Sequence, residues 1–185
     1  MMRNIFIIHG TAGYPEENWF PWLKQKLEGL GCNVIVPQFP TPQNQTPESW
    51  FKVFLKYKKH LTSDTIIIGH SLGGTFLLRF LENSTIKIKA AFFVAVPIGI
   101  KPIKNYKTDK LFLENAFDWA AIKKNCHKFF VFHSDNDPFV CVGNGEHLSK
   151  NLDVKLILVS EAGHFNKVAG YTEFPLLLEK IKKIL

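Results

Sequence analysis

Six short apolar segments, separated by longer stretches with helical spacing, constrain the fold of this chain most. The segments are 4–8, 33–36, 65–68, 89–96, 128–133 and 154–159. They are almost wholly apolar rather than alternating, which is typical of strands that are covered on both faces, as in a parallel sheet. The strand–helix order therefore predicts a three-layer α/β fold with about six parallel strands, right-handed crossovers and helices on both faces.

The chain length predicts one domain spanning 1–185. Its 185 residues, 46% of them apolar, are enough to fill a single core, and the sequence contains no internal repeat or linker. One stretch, 97–117, is long and only weakly periodic. A connection of that length in a compact domain is often functional, so we expect either an irregular surface crossover or a lid or pocket wall.

Charge and composition exclude several classes of protein. The net charge is +7, but the lysines are dispersed and no nucleic-acid motif accompanies them, so nucleic-acid binding is not expected. Three cysteines without paired spacing predict neither disulfides nor a zinc site. No apolar run approaches a membrane span, and the first residues are too short for a signal peptide. We expect a soluble, cytoplasmic protein, and its oligomeric state is left open.

The most informative motif is Gly69-His70-Ser71-Leu72-Gly73, which lies directly between a β-branched strand and an amphipathic helix. Ser71 is either a turn residue among glycines or a nucleophile held on a turn that only glycines permit. The second interpretation matches the nucleophile elbow of α/β-hydrolases. There the serine adopts a strained conformation, and small neighbours two residues on each side allow strand and helix to pass closely.

A serine nucleophile needs a base and an acid that orients the base. In this fold the three follow in the order Ser, Asp, His at the ends of successive strands. The loop after 128–133 contains Asp135 and Asp137, and the loop after 154–159 contains His164. We therefore predict His164 as the base and favour Asp137 as the acid, with Asp135 as the alternative that more simply caps the turn.

Further site residues follow from the same scheme. The oxyanion hole requires two N–H groups, one from Leu72 and one from the loop 9–13, where Thr11 is favoured over Gly10. Three residues are candidates for the substrate pocket, although a core position is favoured for the aromatic ones: His9, Trp19 and Phe117.

The strings TIIIGHSLGG, DWAAIKKNC, SDNDPFV and GHF, with ENWFPWLKQKLE near the start, carry a family likeness. They resemble the small serine α/β-hydrolases of the family that includes retinoblastoma-binding protein nine and bacterial relatives. The resemblance implies an α/β-hydrolase without the first two antiparallel strands, and it implies Ser71, Asp137 and His164 as the triad. A pocket-protein partner is not transferred, because the segment 30–34 lacks the acid of the Leu-x-Cys-x-Glu motif.

Together these observations predict a serine hydrolase that cleaves small esters, amides or thioesters through an acyl-enzyme, and esterase activity is favoured over peptidase activity. The predicted partner is a small-molecule substrate, and no metal or organic cofactor is implied. Two alternatives stay open. One is a non-catalytic binding module on a hydrolase fold, and the other is an acyltransferase with the same triad. The sequence does not indicate the natural substrate.

Overall fold

The computed structural model describes residues 2–185 and contains a six-stranded sheet in which every neighbouring pair of strands is parallel. The strands are β1 (Asn4–Ile8), β2 (Asn33–Ile35), β3 (Ile66–His70), β4 (Ile88–Val94), β5 (Cys126–Ser134) and β6 (Leu156–Val159). Their order across the sheet is β2-β1-β3-β4-β5-β6. The predicted α/β class and strand number are confirmed.

Helices cover both faces of the sheet and create two separate apolar clusters. The helices are α1 (Phe20–Glu28), α2 (Pro47–Phe54), α3 (Leu72–Asn83), α4 (Tyr106–Leu113), α5 (Trp119–Lys124), α6 (Gly143–Asn151) and α7 (Pro175–Lys182). The buried side chains of α1 and α7 share one cluster, and those of α2 to α6 share the other. The central strands are therefore buried on both faces, which explains their continuous apolar sequence.

One helix is shorter than its sequence pattern suggests. The pattern predicts a helix over 46–61, but α2 ends at Phe54 and the chain continues as a 3-10 helix over Leu55–His60. The start is well defined, since Thr46 and Ser49 form a capping box. None of the six residues of the 3-10 segment is buried. The α-helical form is therefore not held there by packing, which supplies most helical stability in proteins.

The connection 97–117 is not an irregular crossover, because it contains helix α4. Phe112 and Leu113 of this helix are buried in the core, as is Asp109. Arg79 of α3 holds the end of the connection by donating to the Phe112 carbonyl oxygen at 2.9 Å. Its guanidinium carbon also lies 3.8 Å from the centre of the Phe117 ring, a cation–π contact.

Candidate active site

Ser71 occupies the sharp turn between β3 and α3, at the carboxyl end of the sheet. Its backbone angles are φ 53° and ψ −128°, a conformation that is strained for any residue except glycine. The Ser71 N–H donates to the Val94 carbonyl oxygen at 2.8 Å, so β4 supports this conformation. Strain of this kind persists where the surroundings over-determine it, which is common at functional sites.

The glycines on either side of Ser71 are required by close packing. A Cβ atom on Gly69 would lie 2.4 Å from the Cα of Gly74, and one on Gly73 would lie 2.3 Å from the Ile8 carbonyl oxygen. Both distances are far below a van der Waals contact. The elbow spacing of the sequence therefore reflects a real steric requirement at the junction of β1, β3 and α3.

The structure brings Asp137 and His164 together at this edge of the sheet. The Asp137 Oδ2 atom lies 2.7 Å from the His164 Nδ1 atom, and the carboxylate side chain is completely buried. The other oxygen, Oδ1, accepts from the N–H groups of Phe139 at 2.8 Å and Val140 at 3.1 Å. The carboxylate is thus oriented by its own loop, and it fixes the imidazole with Nδ1 carrying the hydrogen.

Asp135, the alternative acid, does not contact His164. Its two oxygens accept from the Ser160 hydroxyl at 2.7 Å and the Glu161 N–H at 2.8 Å. These hydrogen bonds, first that of the Glu161 N–H, lower the pKa of the Asp135 carboxyl. Asp135 therefore connects the loops after β5 and β6.

The same two loops are joined at every position between 160 and 164. The Ala162 N–H donates to the Ser134 hydroxyl at 3.0 Å, and the Gly163 N–H donates to the Asn136 side-chain oxygen at 2.8 Å. With the contacts of Asp135 and Asp137, this makes a continuous ladder of side-chain hydrogen bonds between 134–137 and 160–164. The ladder holds His164 in register with Asp137.

Two buried histidines donate hydrogen bonds to backbone carbonyl oxygens of the loops that follow β5 and β6. The His70 Nε2 atom donates to the His164 carbonyl oxygen at 2.8 Å, and the His133 Nε2 atom donates to the Val140 carbonyl oxygen at 2.9 Å. Burial lowers the pKa of His70 to about 3 and also lowers that of His133. Both rings therefore stay neutral at physiological pH and act as fixed hydrogen-bond donors.

Ser71 and His164 line one cavity of about 280 Å³. The other lining residues are Gly10, Thr11, Tyr14, Glu17, Asn18, His70, Asn105, Phe139, Asn166, Lys167 and Val168. The Phe139 ring is stacked on the His164 imidazole, with their centres 4.8 Å apart. The remaining wall combines hydroxyl, amide and charged groups with apolar surface, so its small volume favours a small ligand over a long chain.

The loop 9–13 forms the wall of the cavity next to Ser71. Gly10 and Thr11 line the cavity, and the loop closes on itself through a hydrogen bond from the Gly13 N–H to the Gly10 carbonyl oxygen, 3.1 Å long. Within residues 2–185, the N–H groups of Thr11 and Leu72 have no hydrogen-bond acceptor. Both of the N–H groups that the sequence predicts as oxyanion donors are therefore free to bind a ligand.

The structure places the three predicted pocket residues elsewhere. His9 is fully buried, and its Nε2 atom accepts from the Phe39 N–H at 3.0 Å. Trp19 is also fully buried, and its indole N–H donates to the Phe165 carbonyl oxygen at 3.0 Å. Phe117 lies against Arg79 on α3. Of the whole connection 97–117, only Asn105 lines the cavity, so the expected aromatic pocket wall is not present.

Glu17 is a cavity residue that the sequence analysis does not identify. Its carboxylate lies against the loop 9–13, since a Cβ atom on Gly13 would be 2.5 Å from Glu17 Oε1. Burial raises the pKa of Glu17 to about 7. The string Tyr14-Pro15-Glu16-Glu17 resembles an ordinary surface turn, so only the folded chain reveals that one of its two carboxylates faces the cavity.

The described residues contain neither a metal-binding cluster nor a membrane-spanning helix. Across residues 2–185, no three side chains of the ligating types gather closely enough to hold a metal ion. In the same range, no helix combines the length and apolar character needed to cross a membrane.

The parallel sheet with a strained serine between β3 and α3 defines the class of α/β-hydrolases. The family model described as "Serine hydrolase" matches residues 5–183, and the chain therefore belongs to the serine hydrolase family. The rat protein serine hydrolase RBBP9 is 28% identical over 182 residues, which cover 97% of this chain and 94% of that protein. YdeN of Bacillus subtilis is 27% identical over 179 residues, which cover 97% of this chain and 94% of YdeN.

Solved structures give the same result for the fold. The crystal structure of the Bacillus subtilis ydeN gene product superposes with a TM-score of 0.92 and 26% identity, covering 99% of this chain and 98% of that one. Est1E of Butyrivibrio proteoclasticus, solved with ferulic acid, has a TM-score of 0.70 and 18% identity, covering 97% of this chain and 90% of that one. The resemblance to the small serine α/β-hydrolases is thus confirmed.

Proposed function

We propose that this protein is a serine hydrolase that cleaves small esters or amides through a triad of Ser71, His164 and Asp137. The observation that carries the proposal is the strained Ser71 beside His164, whose Nδ1 atom lies 2.7 Å from the buried Asp137 carboxylate. The Ser71 hydroxyl makes no hydrogen bond to the His164 ring among the described residues. Such contacts commonly tighten when a substrate binds.

The proposed reaction has two halves. In the first, Ser71 Oγ attacks the substrate carbonyl carbon while its proton passes to His164 Nε2, and that proton then goes to the leaving alcohol or amine as its bond to carbon breaks. In the second, His164 takes a proton from water, the resulting hydroxide attacks the acyl-enzyme, and the proton returns to Ser71 as the acid leaves. Asp137 holds the imidazole tautomer and stabilises the transient imidazolium.

The negative charge that develops on the carbonyl oxygen needs hydrogen-bond donors that are already in place. We propose the N–H groups of Leu72 and Thr11 for this role. Leu72 begins α3, so its N–H has no partner within the helix and lies at the positive end of the helix dipole. Gly10, the second candidate of the sequence analysis, lies beside Ser71 and leaves room for the substrate.

The cavity supports a restricted substrate class. Its volume of about 280 Å³ fits a short acyl group. We expect acetyl esters to react at least tenfold faster, in kcat/KM, than octanoyl esters, because a cavity of this size has little room for the longer chain. The cytoplasmic location is part of the same proposal, since three free cysteines are compatible with a reducing compartment.

Labelling with a fluorophosphonate probe, combined with hydrolysis of p-nitrophenyl acetate, tests the proposal. The wild-type protein should be labelled and active, and Ser71→Ala should lose both while its circular dichroism spectrum stays unchanged. Ser149→Ala is a matched control, because this α6 hydroxyl donates to the Glu146 carbonyl oxygen away from the cavity. Persistent labelling of Ser71→Ala would refute the nucleophile, and an unlabelled wild type would favour a binding module.

A further inference from the structure

The loop 9–13 is tied at two adjacent residues into a closed ring of side-chain hydrogen bonds. The Thr11 hydroxyl donates to Asp109 Oδ1 at 2.6 Å, and the Gln45 side-chain N–H donates to the same oxygen at 2.9 Å. The Gln45 side-chain oxygen accepts from the Thr41 hydroxyl. The Thr41 hydroxyl in turn accepts from the Ala12 N–H at 2.7 Å. The ring leaves the loop at Thr11 and returns at Ala12.

The centre of this ring is a buried carboxylate without a cation. Asp109 is 2% exposed and Gln45 is 5% exposed. Among residues 2–185, no lysine, arginine or histidine forms a salt bridge with Asp109. Burial raises the pKa of this carboxyl. An apolar residue at position 109 would avoid the desolvation, so a stability role alone does not account for the aspartate.

The ring acts on a backbone segment with an unfavourable conformation. Ala12 has φ 58°, a left-handed conformation that is unfavourable for a residue with a side chain. The Thr11 N–H beside it has no acceptor among the described residues. The ring holds both the Thr11 side chain and the Ala12 N–H, and it therefore fixes the orientation of Thr11. This restricts the rotation of the peptide bond between Gly10 and Thr11, which carries the Thr11 N–H.

We propose that Asp109 is a positioning residue, which acts through Thr11 and Gln45 to aim the Thr11 N–H at the substrate oxyanion. The inference rests on the proposed serine hydrolase function. It gives α4 a role in the reaction without contact between its aromatic side chains and the substrate. The helix carries Asp109, and Arg79 fastens the end of that helix to α3.

The test measures kcat and KM on p-nitrophenyl acetate for Thr11→Val, Asp109→Ala and the double variant. Loss of a whole oxyanion donor lowers kcat by about 10²–10³. A donor that is present but poorly aimed should cost less, so each single variant should lower kcat by about tenfold to fiftyfold, with KM within about twofold. Because both act through one ring, the double variant should fall no more than about threefold below the lower single variant.

Conservative variants separate positioning from general destabilisation. Thr11→Ser keeps the hydroxyl and Asp109→Asn keeps an acceptor oxygen, so each should retain kcat within about threefold of the wild type. Thr65→Val is a matched control, because this threonine is also buried and its hydroxyl donates to the His60 carbonyl oxygen at the opposite end of β3. It should lower the melting temperature without lowering kcat. If Asp109→Ala does not fold, the comparison of Thr11→Val with Thr11→Ser decides the proposal.

The outcomes are distinct for the two proposals. If the wild type is labelled by the fluorophosphonate probe but Thr11→Val leaves kcat within twofold, the ring has no positioning role while the hydrolase function stands. Multiplicative losses in the double variant, or equal losses for Thr11→Ser and Thr11→Val, would also overturn it. An unlabelled, inactive wild type would overturn the hydrolase function and this inference with it.

Discussion

The two loop systems that meet at Ser71 are held in different ways. The proposed acid–base side, formed by 134–137 and 160–164, is joined by a ladder between the ends of two adjacent strands, β5 and β6. The loop 9–13 on the other side depends on Asp109, which is 98 residues away from Thr11 in sequence. The first arrangement follows directly from sheet topology, whereas the second requires a long connection to fold back over the sheet edge.

This difference has consequences for robustness. The acid–base side has several parallel hydrogen bonds, so the loss of one peripheral member leaves the others to hold the register. The other side depends on one ring, across which the Gln45 side-chain N–H makes only a longer hydrogen bond to the Thr11 hydroxyl, at 3.5 Å. The loss of Asp109 should therefore leave Thr11 weakly held.

Asp137→Asn should have the largest effect, a loss of about 10⁴ in kcat, because an amide favours the wrong histidine tautomer. Asp135→Asn is the matched control within the same ladder. It should cost tenfold or less in kcat, as its contacts are with Ser160 and Glu161 rather than with His164. Steady-state kinetics on p-nitrophenyl acetate measures both. The reverse order of effects would identify Asp135 as the acid.

His70→Phe removes the hydrogen bond from the His70 ring to the His164 carbonyl oxygen while keeping a flat ring at this position. A buried carbonyl oxygen without a partner costs about 1–3 kcal/mol, and a shift of the base of about 1 Å can cost about 10²-fold in rate. We expect a loss of tenfold to a hundredfold in kcat together with a lower melting temperature. Unchanged kcat would mean that the ladder alone positions His164.

Glu17→Gln tests the charge next to the loop 9–13. Folded Glu17, with its pKa raised to about 7, holds its proton more tightly than the unfolded chain does. Its contribution therefore favours folding most at low pH and is lost as pH rises through about 7. At pH 8.5 the melting temperature of the variant should be roughly 2–4 °C above that of the wild type, which corresponds to about 1 kcal/mol in the free energy of unfolding. Near pH 4 the two melting temperatures should be equal.

The same substitution should affect the rate. A carboxylate beside the oxyanion opposes the negative charge of the transition state, so the wild-type rate should decline above about pH 7 as Glu17 ionises. Glu17→Gln should extend the activity plateau to higher pH, by about threefold to tenfold in kcat/KM at pH 8.5. A wild-type profile without this decline would place Glu17 too far from the reacting oxygen.

Phe117→Ala should have the smallest effect on catalysis. The ring lies against the Arg79 guanidinium, 3.8 Å from its central carbon, and does not line the cavity. Loss of this contact should lower stability by about 1–2 kcal/mol. The ratio of kcat/KM values for acetyl and octanoyl esters should stay within twofold of the wild type. A selective change in that ratio would restore the pocket-wall role that the sequence suggested.

Much of this architecture is local enough to be predicted from sequence. The apolar runs predict the strands because a strand covered on both faces has no position for polar side chains. The elbow at Gly69-His70-Ser71-Leu72-Gly73 is predictable because its geometry depends on steric contacts within a few residues of the turn. The order of Ser71, Asp137 and His164 follows from strand order.

The pocket could not be predicted in the same way. Trp19 and Phe117 are both aromatic pocket candidates by sequence, but only packing decides that one enters the core and the other contacts Arg79. Glu17 and Asp109 show the opposite case, since each lies in a polar-looking segment and is nevertheless turned inward. Hydrophobic pattern reports burial of apolar residues and carries no signal for buried polar ones.

The sequence alone was sufficient to predict the α/β class, the strand set, the elbow around Ser71 and the two loops that carry the proposed acid and base. These depend on periodicity, steric limits and chain order, which are properties of short segments. The contact of His164 with Asp137 rather than Asp135, the set of residues that lines the cavity, and the hydrogen bond from Thr11 to Asp109 become visible only in the folded chain. Such contacts depend on the relative placement of residues far apart in the chain, and each is set by the packing of whole elements.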